Sequence, residues 1–270
     1  MRISQTNKTE FLAIFEQELR RCVGEDEFVI DEGMRYATLD GGKRVRPTCV
    51  YLGARAVGDA DVDEIVRLAI GVELVHNYSL VHDDLPAMDN DDYRRGKLSV
   101  HKKFGHANGI LIGDQLLTLA NCVLLDGARR YGSDFARSAQ EVMFSAKEMV
   151  RGQAIDLAGC ESERDYFEMY SQKTSALIRG AFKAGAICAG ANSDTTEKIG
   201  EFAELVGLAF QLADDLLDEG EENSVVSLLG KERTKDVLCE KTVKACEIAK
   251  EFCNAQELCD FANALLNRKK

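Results

Sequence analysis

The chain has 270 residues, of which 45% are apolar and only two are proline, so it can bury one sizeable core and shows no disordered composition. A formal net charge of −12 excludes a general nucleic-acid surface, because phosphates would be repelled. The amino terminus lacks a signal-like apolar stretch, and no run of about 18 apolar residues occurs. We expect one cytoplasmic domain over residues 1–270 that binds neither nucleic acid nor membrane.

Apolar residues follow the helical period from the start of the chain, as in Phe11, Phe15 and Leu19. No alternating run of β-branched residues, typical of a strand, interrupts the pattern. Turn-forming residues cluster at 24–33, 40–47, 86–96, Gly132, 191–194 and around Gly220. The sequence therefore predicts an all-α fold of roughly eight to eleven helices, with room for a central cavity between two aspartate clusters.

A basic group, Lys43, Arg44 and Arg46, follows two glycines in the turn at residues 41–47. The G-x-x-x-x-G-K-[ST] spacing of a Walker loop is absent, and a Gly-Gly-Lys turn also suits an ordinary surface loop. In so acidic a chain, such a group favours a local anion site.

The first aspartate cluster holds five aspartates between Asp83 and Asp92. Carboxylates this close favour a cation between them. We predict a helix from about Leu68 to near Asp84, with His76, Asp83 and Asp84 on one side. Pro86 ends that helix and lets Asp89 fold back toward them.

The position of this cluster indicates what it binds. Acids at the carboxyl end of a helix attract cations, and Mg²⁺ bridges carboxylates to phosphates. Arg94 and Arg95 follow directly, and guanidinium groups hold phosphate oxygens in fork geometry. Asp91 and Asp92 are interpreted as solvated loop acids. The remaining histidines, His82, His101 and His106, are interpreted as structural.

The second cluster combines Gln211 with Asp214, Asp215 and Asp218, which share roughly one third of a helix circumference. A solvated acidic face gives the same pattern, although the preceding turn, ELVGLAF, is apolar. Lys173 lies alone in an apolar helical run, which favours an anionic partner.

The nine cysteines form an odd set with no C-x-x-C pair. Cys239, Cys246 and Cys253 recur every seven residues, which predicts a buried helix face of reduced thiols rather than disulfides or a metal site.

Taken together, the motifs DDLPAMD, DDLLD, GGKRVRP, ELVHNYSLVHDD, RRGK, GQAIDL, QKTSALI and FQLADD resemble the trans-type (head-to-tail) polyprenyl diphosphate synthases, most closely the bacterial farnesyl diphosphate synthases. The resemblance implies an isoprenoid synthase fold and a homodimer. It also implies Mg²⁺-dependent condensation of isopentenyl diphosphate with dimethylallyl or geranyl diphosphate, giving farnesyl diphosphate and free diphosphate.

The resemblance also implies roles for individual residues. The metal ligands would be Asp83, Asp84, Asp89, Asp214 and Asp218. The allylic diphosphate would be held by Arg94 and Lys173. The isopentenyl diphosphate pocket would comprise Lys43, Arg46, His76 and Arg95. The polar groups facing the allylic carbon would be Thr174 and Gln211.

The resemblance implies that product length depends on Tyr78, which lies five residues before the first aspartate of DDLPAMD. In this family, an aromatic residue at that position is associated with a farnesyl product when the motif is two residues longer than DDxxD, as DDLPAMD is. Tyr78 would then form the floor of the chain cavity, although ordinary core filling also suits a tyrosine at this position.

The chain departs from the family pattern after the second aspartate motif. Residues Glu219 to Gly230 contain no lysine and three glutamates, and Glu222 stands where a lysine is typical. Lys231, Arg233 or Lys235 could compensate, and the basic end NRKK resembles the tail of many members. Three alternatives stay open: a geranylgeranyl diphosphate synthase, a terpene cyclase, and a non-catalytic partner subunit of a prenyl synthase.

Overall fold

The computed structural model describes residues 1–39, 41–217 and 224–266. Its helices are α1 (Lys8–Cys22), α2 (Val29–Thr38), α3 (Val45–Val57), α4 (Val62–Asp83), α5 (Val100–Phe104), α6 (His106–Tyr131), α7 (Ser133–Ala158), α8 (Glu163–Tyr170), α9 (Ala176–Cys188), α10 (Ser193–Leu217), α11 (Val225–Leu229), α12 (Lys231–Ala249) and α13 (Ala255–Leu266). A 3₁₀ turn (Ile3–Gln5) precedes α1, and a π-turn (Ser171–Ser175) joins α8 to α9. The predicted all-α class is confirmed.

Helix α1 shows how the sequence sets an element. Asn7 accepts a hydrogen bond from the Glu10 amide at 3.0 Å, and Glu10 accepts one from the Asn7 amide at 3.1 Å. This reciprocal capping box satisfies two amides at the start of the helix. Phe11, Phe15 and Leu19, spaced at the helical period, are fully buried.

One short hairpin interrupts the helical fold. Strands β1 (Tyr93–Arg94) and β2 (Lys97–Leu98) pair antiparallel, with Tyr93 opposite Leu98. The two turn residues, Arg95 and Gly96, have φ of 53° and 75°. Positive φ at both central positions gives the turn that matches strand twist. Each strand is only two residues long, which is too short to show an alternating pattern in the sequence.

Close helix packing builds the centre of the molecule. A Cβ atom at Gly53 of α3 would lie 2.2 Å from the Phe182 carbonyl oxygen of α9, and one at Gly185 would lie 2.0 Å from the Val50 carbonyl oxygen. Only glycine permits the backbones of α3 and α9 to approach so closely. The main apolar core surrounds this crossing, and a smaller cluster around Tyr170, Leu212 and Val237 joins α8, α10 and α12.

The predicted buried cysteine face is wrong. All nine cysteines are free thiols, but Cys239 and Cys253 are exposed and Cys246 is half-buried. The buried side of α12 instead carries Val237, Leu238, Thr242, Ala245 and Ala249 among its residues. Cys253 lies beyond the end of that helix, so the seven-residue spacing does not describe one helical face.

Helix α6 is, among the described residues, long and apolar enough by length and composition to cross a membrane. Core helices of soluble proteins pass the same test. In this helix 39% of the most apolar window is buried, and Ile110, Leu111 and Leu125 are exposed.

Candidate active site

The first aspartate cluster lies where α4 ends, and the predicted return of Asp89 is confirmed. Helix α4 ends at Asp83 with Asp84 as its cap, and the Asp89 amide donates a hydrogen bond to the Asp83 carbonyl oxygen at 2.9 Å. Pro86 lies inside the turn that makes this contact possible. Asp83 and Asp89 are therefore brought side by side although they are six residues apart.

Electrostatics in this turn favour an added cation. Burial raises the pKa of Asp83 to about 6, and the neighbouring Asp89 and Asp84 carboxylates add to the rise, while Lys173 and Arg94 oppose it. The pKa of Asp89 is also raised, mainly by burial. Carboxylates whose charged forms are disfavoured in this way gain from a nearby positive charge.

The donor set fits a cation shared with a substrate. Among the described residues, no three acidic, histidine or cysteine side chains lie close enough to chelate an ion alone. Mg²⁺ is usually held by one or two carboxylates, with waters and phosphate oxygens completing its shell. Asp83 and Asp89, tethered through their backbone, match that requirement.

Asp84 faces a different partner from Asp83. The Arg94 guanidinium donates to Asp84 Oδ1 from Nε at 2.7 Å and from Nη2 at 2.6 Å, and Asp84 is almost fully buried. The structure thus pairs a predicted metal ligand with a predicted diphosphate ligand. Asp91 and Asp92 are exposed, as interpreted from sequence, and form ion pairs with Arg94 and Lys102.

The predicted isopentenyl diphosphate residues line one pocket of about 570 Å³. Lys43 comes from the basic turn, Arg46 from the first turn of α3, His76 from α4, and Arg95 from the hairpin turn. Arg95 Nη1 donates to the Gly41 carbonyl oxygen at 3.0 Å, which ties the hairpin to the basic turn. Four residues from three separate segments of the chain therefore surround a single space.

Two buried polar atoms in this pocket lack a protein partner among the described residues. Arg46 Nη1 donates to His76 Nε2 at 3.1 Å, while Arg46 Nε and His76 Nδ1 bond to nothing there. Burial, reinforced by Arg46 and Arg95, holds the pKa of His76 well below its ordinary value. His76 is then a neutral ring that accepts from Arg46 and has an N–H left for a ligand. Unsatisfied donors of this kind suit an anion.

A second cavity of about 300 Å³ begins beside Asp83. Its walls are Tyr78, Ser79, His82, Met88, Met149, Val150, Gln153, Ala154, Leu157 and Lys173. Both spaces border α4, the first at Glu73 and His76 and the second at residues from Tyr78 to Asp83, so they follow one another along one helix. Tyr78 borders this cavity, is 7% exposed, and contacts the His82 ring edge-on at 5.8 Å.

Lys173 and Thr174 lie in the π-turn between α8 and α9. A Cβ atom at Gly152 of α7 would lie 2.2 Å from the Lys173 amide nitrogen, so the glycine of GQAIDL lets α7 press against this turn. Lys173 Nζ contacts Asp156 Oδ2 at 2.5 Å. π-turns are frequent at functional sites because they redirect side chains from the regular helical positions.

A chain of hydrogen bonds runs from the π-turn to α11. Thr174 Oγ1 donates to Gln211 Oε1 at 2.9 Å, and Gln211 Nε2 donates to Asp215 Oδ1 at 2.9 Å. The Tyr170 hydroxyl donates to the other Asp215 oxygen and accepts from the Val225 amide at 3.2 Å. The orientation of the Gln211 amide is therefore fixed at both of its ends.

The second aspartate cluster is only partly described. Asp214 is half-buried, and its charge raises the pKa of Arg46 against the larger lowering by burial. Asp215 instead turns toward Gln211 and Tyr170. Asp218, Glu222 and the NRKK end lie outside the described residues, so those predictions stay open. Lys231, Arg233 and Lys235 begin α12, where Arg233 pairs with Glu240 and Lys235 with Glu232.

Several residues that lie at these sites were not assigned to them from the sequence. His82 was interpreted as structural but borders the chain cavity, where its Nε2 lies 3.0 Å from the Ile110 carbonyl oxygen. Asp156 lies within the quoted motif GQAIDL, so its position was signalled. Glu73 likewise opens the motif ELVHNYSLVHDD. Tyr170 had no such signal, because only the fold brings it to the site.

Comparisons with known proteins agree with this geometry. A family profile described as polyprenyl synthetase matches residues 27–266. A farnesyl diphosphate synthase of Escherichia coli (strain K12) is 41% identical over 226 residues, covering 76% of this chain and 75% of that protein. One of Micrococcus luteus is 34% identical and covers 91% of both chains. The structure of an FPP/GFPP synthase from Zymomonas mobilis superposes with a TM-score of 0.87 at 32% identity, covering 95% of this chain and 98% of that one.

Proposed function

The chain belongs to the polyprenyl synthetase family, and from that premise we propose that it is a head-to-tail prenyltransferase that makes farnesyl diphosphate. It would condense isopentenyl diphosphate with dimethylallyl diphosphate and then with geranyl diphosphate, releasing diphosphate each time. The observation that carries the proposal is the pair of spaces along α4. The first space is lined by basic side chains. The second begins at the aspartates and continues between apolar side chains.

The cationic pocket is proposed to bind isopentenyl diphosphate. Lys43, Arg46 and Arg95 supply positive charge, and the neutral His76 ring supplies a directed N–H. A fork-shaped guanidinium group binds two diphosphate oxygens at once, which a single point charge such as an ammonium group cannot do. This pocket has no need of a metal, since its own side chains balance the anion.

The allylic diphosphate is proposed to bind at the aspartates. Asp83 and Asp89, with Asp84, Asp214 and Asp218 as further candidates, would hold Mg²⁺, which when bound supplies positive charge to the departing diphosphate. Lys173 would exchange its contact with Asp156 for a diphosphate oxygen, and Arg94 would share its donors between Asp84 and the substrate. The protein thereby stabilises negative charge where the carbon–oxygen bond breaks.

The allylic cation needs weak dipoles and no water. Phe210, next to Gln211, lines the first space, and Lys173, next to Thr174, lines the second, so the hydrogen-bonded Thr174–Gln211 pair is proposed to lie where the two spaces meet. Its oxygens stabilise positive charge without being strong nucleophiles. The mainly apolar walls of the second cavity offer few hydrogen bonds to water, which would otherwise convert the cation to an alcohol. The released diphosphate is proposed to take the proton after the isopentenyl double bond attacks.

Product length is proposed to be set by Tyr78. Its ring closes part of the cavity that begins beside Asp83, with His82 behind it. A chain that grows from the aspartates into this cavity meets the ring, and growth ends at fifteen carbons. A geranylgeranyl product is the alternative outcome.

A homodimer is proposed to form through α6 and α7. Phe144, Val150 and Leu157 of α7 are each more than half exposed, and Leu125 of α6 is 69% exposed. Large apolar side chains in such numbers mark an interface. A second copy is the occupant we propose, and sedimentation showing only monomer at micromolar concentration would contradict it.

The free state of all nine cysteines supports the proposed cytoplasmic location.

Product analysis tests the proposed activity. Purified protein is incubated with MgCl₂, isopentenyl diphosphate and either allylic diphosphate, and the dephosphorylated products are identified by gas chromatography and mass spectrometry. Farnesol is expected, with turnover lost on chelation and restored by Mg²⁺. Cyclic hydrocarbons would indicate a terpene cyclase. No product from a folded protein would favour a non-catalytic subunit.

A further inference from the structure

Arg44 lies between two predicted substrate ligands, yet carboxylates engage its guanidinium. It is 6% exposed, and its Nε and Nη2 donate to the Glu16 carboxylate at 2.6 and 3.1 Å. Nη1 donates to Glu73 Oε1 at 2.7 Å, and Nη2 also donates to the Thr38 carbonyl oxygen at 2.9 Å. Arg44 thereby ties the basic turn to α1, α2 and α4.

Glu73 is the residue that makes this arrangement necessary. Its carboxylate is 2% exposed and borders the pocket that Lys43, Arg46 and Arg95 line. A buried acid in a diphosphate pocket repels the ligand unless a cation engages it. Glu73 also acts on Arg46 and Arg95, since its charge opposes the fall in pKa that burial imposes on both.

The backbone conformation of Arg44 is a second, independent observation that this residue is held in place. Its φ is 48°, in the left-handed region that a non-glycine residue adopts only at a cost in free energy. The ion pairs on both sides of the guanidinium hold that conformation. Lys43, Arg44 and Arg46 all border the pocket, but only the Arg44 guanidinium is engaged by Glu16 and Glu73.

We propose that Arg44 is a positioning residue for isopentenyl diphosphate, which engages Glu73 so that Arg46 and Arg95 remain available to the substrate's diphosphate. This inference rests on the proposed function, because it takes isopentenyl diphosphate as the ligand of the pocket. Without Arg44, the Glu73 carboxylate pairs with Arg46 or Arg95, or faces the diphosphate directly. Each arrangement weakens binding.

Calorimetric titration with isopentenyl diphosphate alone tests the proposal without turnover. Arg44→Gly is the informative variant, since glycine adopts the same φ without strain but removes the ion pairs. We expect its Kd to rise about tenfold or more, as for the loss of a buried charge partner. The Michaelis constant for geranyl diphosphate should change little, which a general structural defect would not allow.

Neutralising Glu73 separates the proposed role from simple packing. In Arg44→Gly/Glu73→Gln the acid no longer competes, so the Kd should return to within about threefold of that of Glu73→Gln alone. Arg55→Ala is the matched control: this arginine of α3 pairs with Glu257 at 3.2 Å and donates to the Ser4 carbonyl oxygen at 3.0 Å, away from the pocket. It should lower the melting temperature and leave the Kd unchanged.

The outcomes discriminate between the hypotheses. A folded Arg44→Gly variant with wild-type Kd, or a double variant as weak as Arg44→Gly, would overturn the inference alone. Wild-type protein that binds no isopentenyl diphosphate would overturn the proposed function and the inference with it. If Arg44→Gly does not fold, Arg44→Lys serves instead, because a single ammonium cannot serve both carboxylates. Its Kd for isopentenyl diphosphate should be higher than that of the wild type, and adding Glu73→Gln should lower that Kd again. Failure of either expectation would refute the proposal.

Discussion

Replacing Tyr78 with alanine should lengthen the product from fifteen to twenty carbons. The tyrosine ring borders the cavity of about 300 Å³, and a phenol ring is slightly larger than one five-carbon isoprene unit. Its removal therefore makes room for about one more unit at the end of the chain. Growth should stop there, because the His82 ring stands next to Tyr78 and is held against the Ile110 carbonyl oxygen.

The substitution also has a cost in stability. Deleting a buried aromatic ring costs 3–5 kcal/mol, and we expect about 3 kcal/mol here because the ring already borders open space. For a chain of this size, that loss lowers the melting temperature by roughly 6–12 °C. The variant should therefore remain folded at the assay temperature, provided that the wild type has ordinary stability.

The assay compares product distributions from geranyl and isopentenyl diphosphates, alongside melting curves from circular dichroism. Tyr78→Phe keeps the ring and should still make the fifteen-carbon product. Tyr166→Ala is the matched stability control, since Tyr166 is equally buried but lies in the smaller core cluster. A Tyr78→Ala enzyme that is folded and active yet makes only farnesyl diphosphate would refute the assignment of Tyr78 as the floor.

Three further predictions test other parts of the site and fold. Asp83→Ala should reduce turnover by orders of magnitude with little change in helicity, because it removes a proposed metal ligand rather than core packing; unchanged turnover would refute that role. Tyr170→Phe removes both hydrogen bonds of the hydroxyl, to Asp215 and from the Val225 amide, and should lower kcat about tenfold at unchanged Michaelis constants because Asp215 then holds Gln211 less firmly; wild-type kcat would show that the link to Asp215 is dispensable. Asp59 pairs with Arg2, which lowers the pKa of Asp59 from 3.8 to about 2, so its contribution to stability is present above 3.8 and is lost as the pH falls through 2. Unfolding curves of Asp59→Asn and wild type should converge over that range, and a constant difference would contradict the assignment.

The sequence by itself determined the all-α class of fold and the local course of single elements. Helical periodicity depends on local spacing, so the burial of Phe11 followed directly from it. The end of α4 near Asp84 followed from the position of Pro86. Pro86 also acts locally, and the return of Asp89 to Asp83 could be predicted from its position. The motifs that carry the family resemblance are likewise contiguous stretches of sequence.

Only the tertiary structure decided which side chains engage one another. Arg44 and Arg46 belong to one motif and border one pocket, yet the first is paired with Glu16 and Glu73 while Nε of the second has no partner among the described residues. The Cys239 spacing suggested burial, but the face that α12 buries is chosen by its neighbours α10 and α13. Such choices depend on partners far away in sequence, because burial and pairing energies arise from contacts that form only when distant helices meet.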